Sequence, residues 1–349
     1  MAGKKQHDLP RLVLRGFTEV EGEKAFLWQF RRNAEPKEVS IQDVGHSKFF
    51  YDKPGPGTLD AFITDKENEY GAFVARLRKE RKLSASDEET LIEFVHSLVL
   101  RTRNLRDLLL NVFDAMLNEL ASVATDADAA RQQLLKEQHE NTPMWDQALT
   151  SYVRAKYGSR SRLCEWFLKW WENKDFKRWL THSTQAREHI QQQVALYKAQ
   201  LAPVIGQVGE VVKKSHNDQL KKVLQSSEDD PTPRYNHYRQ LRWSIQRLDR
   251  GSLILGDVAV LQFEQQSRRF SAGFDGGTGD IILLPLSHDL LVIGATAGTE
   301  ALPSIHEINR ASAQLSFHYF VSPQNSEREQ GYQRLLGSGV VRAPKIFAS

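Results

Sequence analysis

The sequence predicts an α+β fold in which a helix-rich central region separates an N-terminal from a C-terminal β segment. Apolar residues alternate with polar ones near both ends of the chain, as in strands, whereas their spacing is helical in between. The turn-forming run Pro54-Gly55-Pro56-Gly57 marks the first change of period. Because each β segment is short of strands, we expect the two segments to share one sheet or to form two packed sheets.

The N-terminal β segment, residues 1–57, is predicted to form a meander or hairpin. Residues 11–17 alternate polar and apolar side chains, and residues 25–30 follow after an acidic turn. Residues 37–44 alternate again with a period of two. We therefore expect three strands before the turn.

The helical region, residues 58–225, begins with two amphipathic segments. Residues 59–82 place apolar side chains at helical spacing, and Ser84 with the acidic residues after it is typical of the start of a second helix, which we expect to run past residue 120. Further helices are predicted over residues 127–157 with a break at Pro143, over 161–181, and over 184–224.

A linker, residues 226–236, precedes a β-rich segment, residues 237–349, that we expect to pack with the N-terminal strands. Strand patterns cover residues 242–248, 252–255, 258–263, 269–274, 280–284 and 290–293, and helices are predicted at 305–319 and 327–335. The glycine-rich stretch 275–280 lacks the lysine of a P-loop and the spacing of an EF-hand. We predict a hairpin turn there.

Composition indicates a globular protein that does not bind nucleic acid by overall charge. The 349 residues include 47 basic and 44 acidic side chains, a formal net charge of +3, which leaves only a local basic face for such a role. The single cysteine, Cys164, excludes an intrachain disulfide. No signal peptide or membrane-spanning run is evident, so we expect a soluble, cytoplasmic protein without membrane contact.

Short motifs near the N-terminus resemble an uncharacterised family, domain of unknown function 4238. His7-Asp8-Leu9-Pro10 is similar to its His-x-x-Pro element, and Leu14-Arg15-Gly16-Phe17 to its Leu-Arg-x-Phe element. Further similar motifs follow in the same order: Phe50-Tyr51, Glu67 or Glu69, Leu98-Val99-Leu100-Arg101-Thr102, Trp243 with Leu255-Gly256-Asp257, Leu284-Pro285-Leu286-Ser287, and Ile308-Asn309. Gly256 and Ala259 depart from the family's serine and proline around Asp257. The family supplies no reaction.

Several charged or polar residues of these motifs lie in apolar segments, where a charge must be paired. One hypothesis is an enzyme, such as a hydrolase, or an effector that acts on a phosphate-bearing substrate, RNA or a nucleotide. Arg15, Arg101 and Ser287 would bind the substrate, and His7, Glu69 and Asp257 would be catalytic. This hypothesis requires the residues to converge on one concave site.

The alternative is a non-catalytic binding or scaffold protein in which the same residues form a structural polar network. The eleven histidines show no close pairs typical of zinc sites, and no cofactor is indicated. The sequence does not decide between enzyme and scaffold, and it does not give the oligomeric state.

A basic and aromatic stretch, residues 154–178, permits two interpretations. Arginines and lysines interleaved with exposed tryptophans suit single-stranded nucleic acid. However, Trp166, Phe167, Trp170 and Trp171 lie at helical spacing, which is also typical of rings that pack a core while lysines cover the other face.

Overall fold

The protein is described by a computed structural model. The described residues are 5–7, 9–18, 25–48, 58–110, 132, 135–136, 143–158, 162–186, 188, 192, 210–211, 213–218, 220–222, 232–248, 252–275, 279–299 and 301–340. Their backbone contacts divide into a first unit, residues 1–109 with 212–342, and a second unit, residues 110–211 with 343–349.

The first unit starts with a short strand and a short helix. Strand β1, Lys5–His7, pairs with β4, His46–Lys48, and helix α1, Arg11–Leu14, continues into a 3-10 turn, Arg15–Phe17. The strand predicted at residues 11–17 is therefore wrong. Val13, Leu14 and Phe17 are fully buried at helical spacing, and the Pro10 carbonyl accepts the first helical hydrogen bonds.

A four-stranded antiparallel sheet joins the two ends of the chain. Its strands lie in the order β3 (Lys37–Ser40), β2 (Phe26–Arg31), β11 (Tyr319–Ser322) and β6 (Leu255–Gly256). The expected α+β class, with N- and C-terminal β segments in a shared sheet, is confirmed. The predicted third strand ends at Ser40, since Ile41–Asp43 forms a 3-10 turn.

A second antiparallel sheet comes from the C-terminal segment alone. Its strands lie in the order β5 (Arg242–Arg247), β10 (Leu290–Ala295), β9 (Ile281–Ser287), β7 (Leu261–Glu264) and β8 (Arg269–Ala272). Strands β8 and β9 both pair with β7 and not with each other. The hairpin turn predicted at residues 275–280 is therefore wrong, although residues 276–278 lie outside the described part of the chain.

Two long helices supply much of the apolar surface that covers these sheets. Helix α2, Leu59–Glu80, follows the prediction closely. A capping box of Ser84 and Asp87 starts a 3-10 turn, Ala85–Asp87, which leads directly into α3, Glu88–Arg101. The predicted continuous helix is interrupted at Thr102, where the backbone turns extended, and residues 103–110 are helical again. One large core includes Leu77, Val95 and Leu283, from both helices and β9.

Three helices lie in the C-terminal part of the first unit. Helix α6, Pro233–Arg239, precedes β5, and helices α7, Ile305–Leu315, and α8, Glu327–Gln333, flank β11. The helix predicted to reach residue 319 ends at Leu315, because Ser316 adopts an extended backbone and the chain enters β11.

The described part of the second unit includes a pair of packed helices, α4, Pro143–Tyr157, and α5, Arg162–His182. Pro143 is the first residue of α4, as expected of a helix-breaking residue, and residues 137–142 lie outside the described part. The core of the pair contains Trp145, Leu149, Val153, Phe176 and Leu180.

Four aromatic residues of α5 do not belong to that core. Trp166, Phe167, Trp170 and Trp171 are exposed, so the interpretation of these rings as core residues is wrong. Cys164, on the same helix, is also exposed.

Candidate functional site

A cavity of about 450 Å³ opens in the first unit, and basic side chains dominate its lining. Its described lining residues are Arg31, Arg32, Asp43, Gly45, His46, Arg103, Phe317, His318 and Tyr319. Three guanidinium groups and two imidazoles accompany a single carboxylate. A concave site of this charge favours an anionic ligand.

Sheet register and two turns bring these lining residues together. Arg31 pairs with Tyr319 across β2 and β11, so the end of one strand lies beside the start of the other. Arg32 follows β2 directly, and Gly45 lies in the left-handed region, with a φ of 57°, in the turn before β4. Arg103 begins the helical residues after α3.

The three arginines differ in their ionic partners. Within the described part of the chain, neither Arg31 nor Arg32 forms an ion pair with a carboxylate. Arg103 Nε lies 3.5 Å from Asp107 Oδ2, and the same oxygen lies 3.3 Å from His318 Nε2. Among the described residues, Asp43 is the carboxylate that lines the cavity together with Arg31 and Arg32.

Asp257 lies behind the cavity and holds one of its walls. Its Oδ1 accepts a hydrogen bond from Phe317 N at 3.0 Å, and its Oδ2 accepts one from His318 N at 2.7 Å. Asn104 Nδ2 also donates to Oδ1, at 3.0 Å, and the Asp257 backbone N donates to Tyr319 O at 3.1 Å. Asp257 thus fixes the backbone of all three lining residues from 317 to 319.

Burial raises the pKa of the Asp257 carboxyl to about 6, while the hydrogen bonds from Phe317, His318 and Asn104 act against that rise. The neighbouring residue, Gly256, matters for packing, because a Cβ there would overlap Ser316 Oγ and approach Ser312 O to 2.9 Å. Glycine at position 256 therefore leaves room for the Ser316 side chain.

His7 supports a second wall, the turn at residues 43–46. Its Nδ1 lies 3.0 Å from Val44 O, and its ring centroid lies 5.8 Å from that of His46. Burial lowers the pKa of His7 to about 4, so the ring is neutral near pH 7 and Nδ1–H donates to the Val44 carbonyl. His7 is placed to hold the turn.

Arg101 connects His7 to helix α2. Its Nη2 donates to His7 O at 3.3 Å and forms an ion pair with Glu67. The Arg101 side chain is 3% exposed and that of Glu67 is 27% exposed. A guanidinium so deeply buried requires acceptors such as these.

The other three predicted site residues lie away from these walls. Glu69, 62% exposed, pairs with Lys66 at 2.9 Å, whereas Glu67 is the acidic residue that contacts Arg101. Arg15 is exposed. Ser287 Oγ donates to Asp289 Oδ1 at 2.7 Å, in a cluster that does not line the cavity.

The structure therefore brings three of the six predicted residues to one site, but as supports. His7, Arg101 and Asp257 hold the walls through backbone groups of their neighbours, and none of the six lines the cavity. The lining arginines were missed because exposed arginines look alike in a sequence. The sequence feature that could have indicated Arg103 is its position two residues after the predicted site residue Arg101.

The described residues contain no group of three histidine, cysteine or acidic side chains arranged to hold a metal ion. Nor does any described helix have the length and apolar character needed to span a membrane. The aromatic pair Phe50-Tyr51, singled out by the family resemblance, lies outside the described residues.

Comparison with known proteins gives one match. A family model described as "Protein of unknown function (DUF4238)" matches residues 5–311, which include every described part of both units up to α7. No curated protein and no solved structure matches the chain.

Proposed function

This chain belongs to the DUF4238 family of proteins of unknown function, and from that premise we propose that its basic cavity binds a phosphate-bearing ligand, a nucleotide or an RNA phosphate. The observation that supports the proposal is the meeting of Arg31, Arg32 and Arg103 around about 450 Å³ of space. Guanidinium groups present paired N–H donors that match the oxygens of phosphate.

The size and the apolar part of the lining suit a nucleotide. Small-molecule sites usually enclose roughly 300–1,000 Å³, and this cavity falls within that range. Phe317 and Tyr319 add aromatic surface beside the arginines, and a base packs well on such rings. The lining thus combines groups for a phosphate with groups for a base.

His318 is the side chain in this cavity best placed for proton transfer, if the ligand reacts there. Asp107 lies 3.3 Å from its Nε2 and orients the ring, while 43% of the side chain stays exposed to a ligand. An imidazole held by a carboxylate is a common general acid or base. His7 is less suited, because its side chain is half-buried and its Nδ1 is engaged with Val44.

The scaffold alternative draws on the other residues. His7, Arg101 and Asp257 are satisfied by contacts within the fold, as a structural network requires. A ligand-binding protein and a scaffold protein would both contain these contacts. Variants of the lining residues therefore separate the two hypotheses.

The test is titration of the full chain with inorganic phosphate and with adenosine monophosphate, followed by calorimetry and thermal unfolding. We expect both probes to raise the unfolding temperature. The double variant Arg32→Ala/Arg103→Ala should lose at least about tenfold in affinity, since a hydrogen bond to a charged group contributes about 1.5–3 kcal/mol.

Arg15→Ala is the matched control, because Arg15 is an exposed arginine outside the cavity lining. It should bind both probes like the parent protein. Equal affinity of the parent and the double variant would refute the cavity as the binding site. A loss confined to Arg15→Ala would instead favour the original assignment of the anion to that residue.

A further inference from the structure

The exposed aromatic residues of helix α5 form a second surface, in the other unit. Trp166, Phe167, Trp170 and Trp171 are 66%, 53%, 69% and 64% exposed. Positions i, i+1, i+4 and i+5 fall on one side of a helix within two turns. Tryptophan is usually well buried, so four large rings on one exposed side need a partner.

The other side of α5 already has its partner. Phe176 and Leu180 pack on Trp145 and Leu149 of α4, and a series of ion pairs borders this contact. These pairs are Arg154 with Glu165 at 2.8 Å, Lys156 with Glu172 at 2.7 Å, and Lys169 with Asp146 at 2.6 Å. The exposed rings therefore lie on a side of α5 that does not take part in its packing on α4.

Three cations continue the exposed side toward the end of the helix. Lys174, Lys177 and Arg178 are exposed, and they follow Trp170 and Trp171 by four and seven residues, the spacing of one helix side. In the described part of the chain, none of the three pairs with a carboxylate, in contrast to Lys169 on the packed side. Their charge is available to an anionic partner.

We propose that this side of α5 binds single-stranded nucleic acid, with bases stacked on the rings and phosphates paired with Lys174, Lys177 and Arg178. The twelve-residue separation from Trp166 to Arg178 corresponds to about 18 Å at 1.5 Å per residue. That length suits a few nucleotides of an extended strand, and every base offers a face that stacks without regard to sequence.

The arrangement of rings and cations favours a strand over a membrane surface. A helix lying in a membrane interface separates its cations from its rings around the axis, because the rings enter the acyl region and the charges stay outside. On α5 both sets share one side and are separated along the axis. A strand that follows the axis meets both sets in turn.

The experiment measures binding of the full chain to fluorescein-labelled oligouridine of about twelve nucleotides by fluorescence anisotropy. Trp166→Ser/Trp170→Ser should weaken binding at least about tenfold, because two stacking platforms are lost. Lys177→Glu/Arg178→Glu should weaken it by a similar factor and flatten its salt dependence. Since all four side chains are exposed, the variants should fold, and circular dichroism checks this.

Matched controls place the same changes elsewhere. Lys79→Glu/Lys82→Glu makes an equal change in net charge at exposed positions of the first unit, and Phe26→Ser removes another exposed ring. Both controls should bind within about twofold of the parent, as expected for side chains that do not belong to the α5 surface. Trp166→Ser/Trp170→Ser should still bind adenosine monophosphate like the parent protein, because neither residue lines the cavity, so that failure of the cavity and failure of this surface are distinguishable.

Three results would overturn the proposal. The first is no binding of oligouridine by the parent protein even at low salt. The second is an equal loss in the controls. The third is cosedimentation with phosphatidylserine vesicles that depends on Trp166 and Trp170 while strand binding does not, which would assign the surface to a membrane.

Discussion

Asn104 and Asp257 share a buried hydrogen bond, with Nδ2 donating to Oδ1 at 3.0 Å, although 153 positions separate them in the chain. Asn104 follows the lining residue Arg103, and Asp257 binds the backbone of the lining residues Phe317 and His318. The bond therefore joins two walls of the cavity. Substitutions at Asn104 or Asp257 should therefore alter ligand binding by shifting the walls of the cavity.

The substitution Asp257→Ala should destabilise the protein by about 3 kcal/mol, because it leaves the N–H donors of Phe317, His318 and Asn104 without their acceptor. Urea unfolding followed by circular dichroism measures this change. Asp218→Ala, at an exposed position, is the control and should change the free energy of unfolding by less than about 0.5 kcal/mol. Similar values for the two variants would contradict the supporting role of Asp257.

Substitution of the buried Arg101 should lower the free energy of unfolding much more than substitution of the exposed Arg15. Arg101→Met leaves the Glu67 carboxylate and the His7 carbonyl without this donor, at a cost of about 3 kcal/mol in the free energy of unfolding. Arg15→Met should cost less than about 0.5 kcal/mol, since the Arg15 side chain is exposed. Chemical denaturation of both variants is the measurement, and a stable Arg101→Met protein would show that the ion pair does not hold β1 to the helices.

Local patterns predicted most helices of the first unit well. Helix α2 follows its apolar spacing, and Ser84 with Asp87 forms the capping box of the 3-10 turn that leads into α3. These features depend on neighbours within a few residues, which a sequence displays directly. The strands of the C-terminal sheet were located for the same reason, although their pairing was not.

The failures share a dependence on distant contacts. Residues 316–319 were predicted to be helical, yet the Asp257 carboxylate binds Phe317 N and His318 N and turns the chain into β11. A hairpin between β8 and β9 was expected, but β9 pairs with β7 instead. The periodicity of apolar residues reflects only neighbours within a few positions, so it does not reveal a contact with a residue tens of positions away.

The candidate site was predicted only in part, because its residues serve two different purposes. Charged groups in apolar segments, such as Arg101 and Asp257, stand out in a sequence, and in the structure they contact backbone groups of His7 and Phe317. Lining residues such as Arg32 must stay accessible, so nothing distinguishes them from ordinary solvated arginines.

Gly16 is expected to tolerate no side chain. A Cβ there would overlap Leu286 O and lie 2.8 Å from Ser287 Cα, and the Gly16 carbonyl accepts a hydrogen bond from His288 N at 2.9 Å. Gly16→Ala should therefore destabilise the protein by about 2 kcal/mol, as overpacking does. Thermal and urea unfolding give the change.

The control glycine lies in helix α2, where nothing comes within 4 Å of a Cβ added at Gly71. Gly71→Ala should stabilise the protein by up to about 1 kcal/mol, because alanine is the better helix former. The two substitutions should thus have opposite signs. Destabilisation of equal size at both positions would show that the packing around Gly16 is not the cause.

His96 should make stability depend on pH. The ring is buried between Tyr235 and Tyr238, with centroids 5.4 Å and 6.1 Å away, and burial together with the charge of Arg234 lowers its pKa from 6.5 to about 4. The unfolded chain therefore binds a proton between pH 6.5 and pH 4 that the folded protein does not. The contribution of the neutral His96 ring to the free energy of unfolding is fully present above pH 6.5 and is lost as the pH falls toward 4.

The substitution His96→Phe keeps an aromatic ring in this position and removes the titrating group. The free energy of unfolding of the parent, relative to that of the variant, should fall by about 2 kcal/mol between pH 7.5 and pH 5. Because the difference between the two proteins is measured, other titrating groups such as Asp257 cancel. His182→Phe, at an exposed position, should give no such trend, and a pH-independent difference for His96→Phe would mean that the folded protein accommodates a charged ring at position 96.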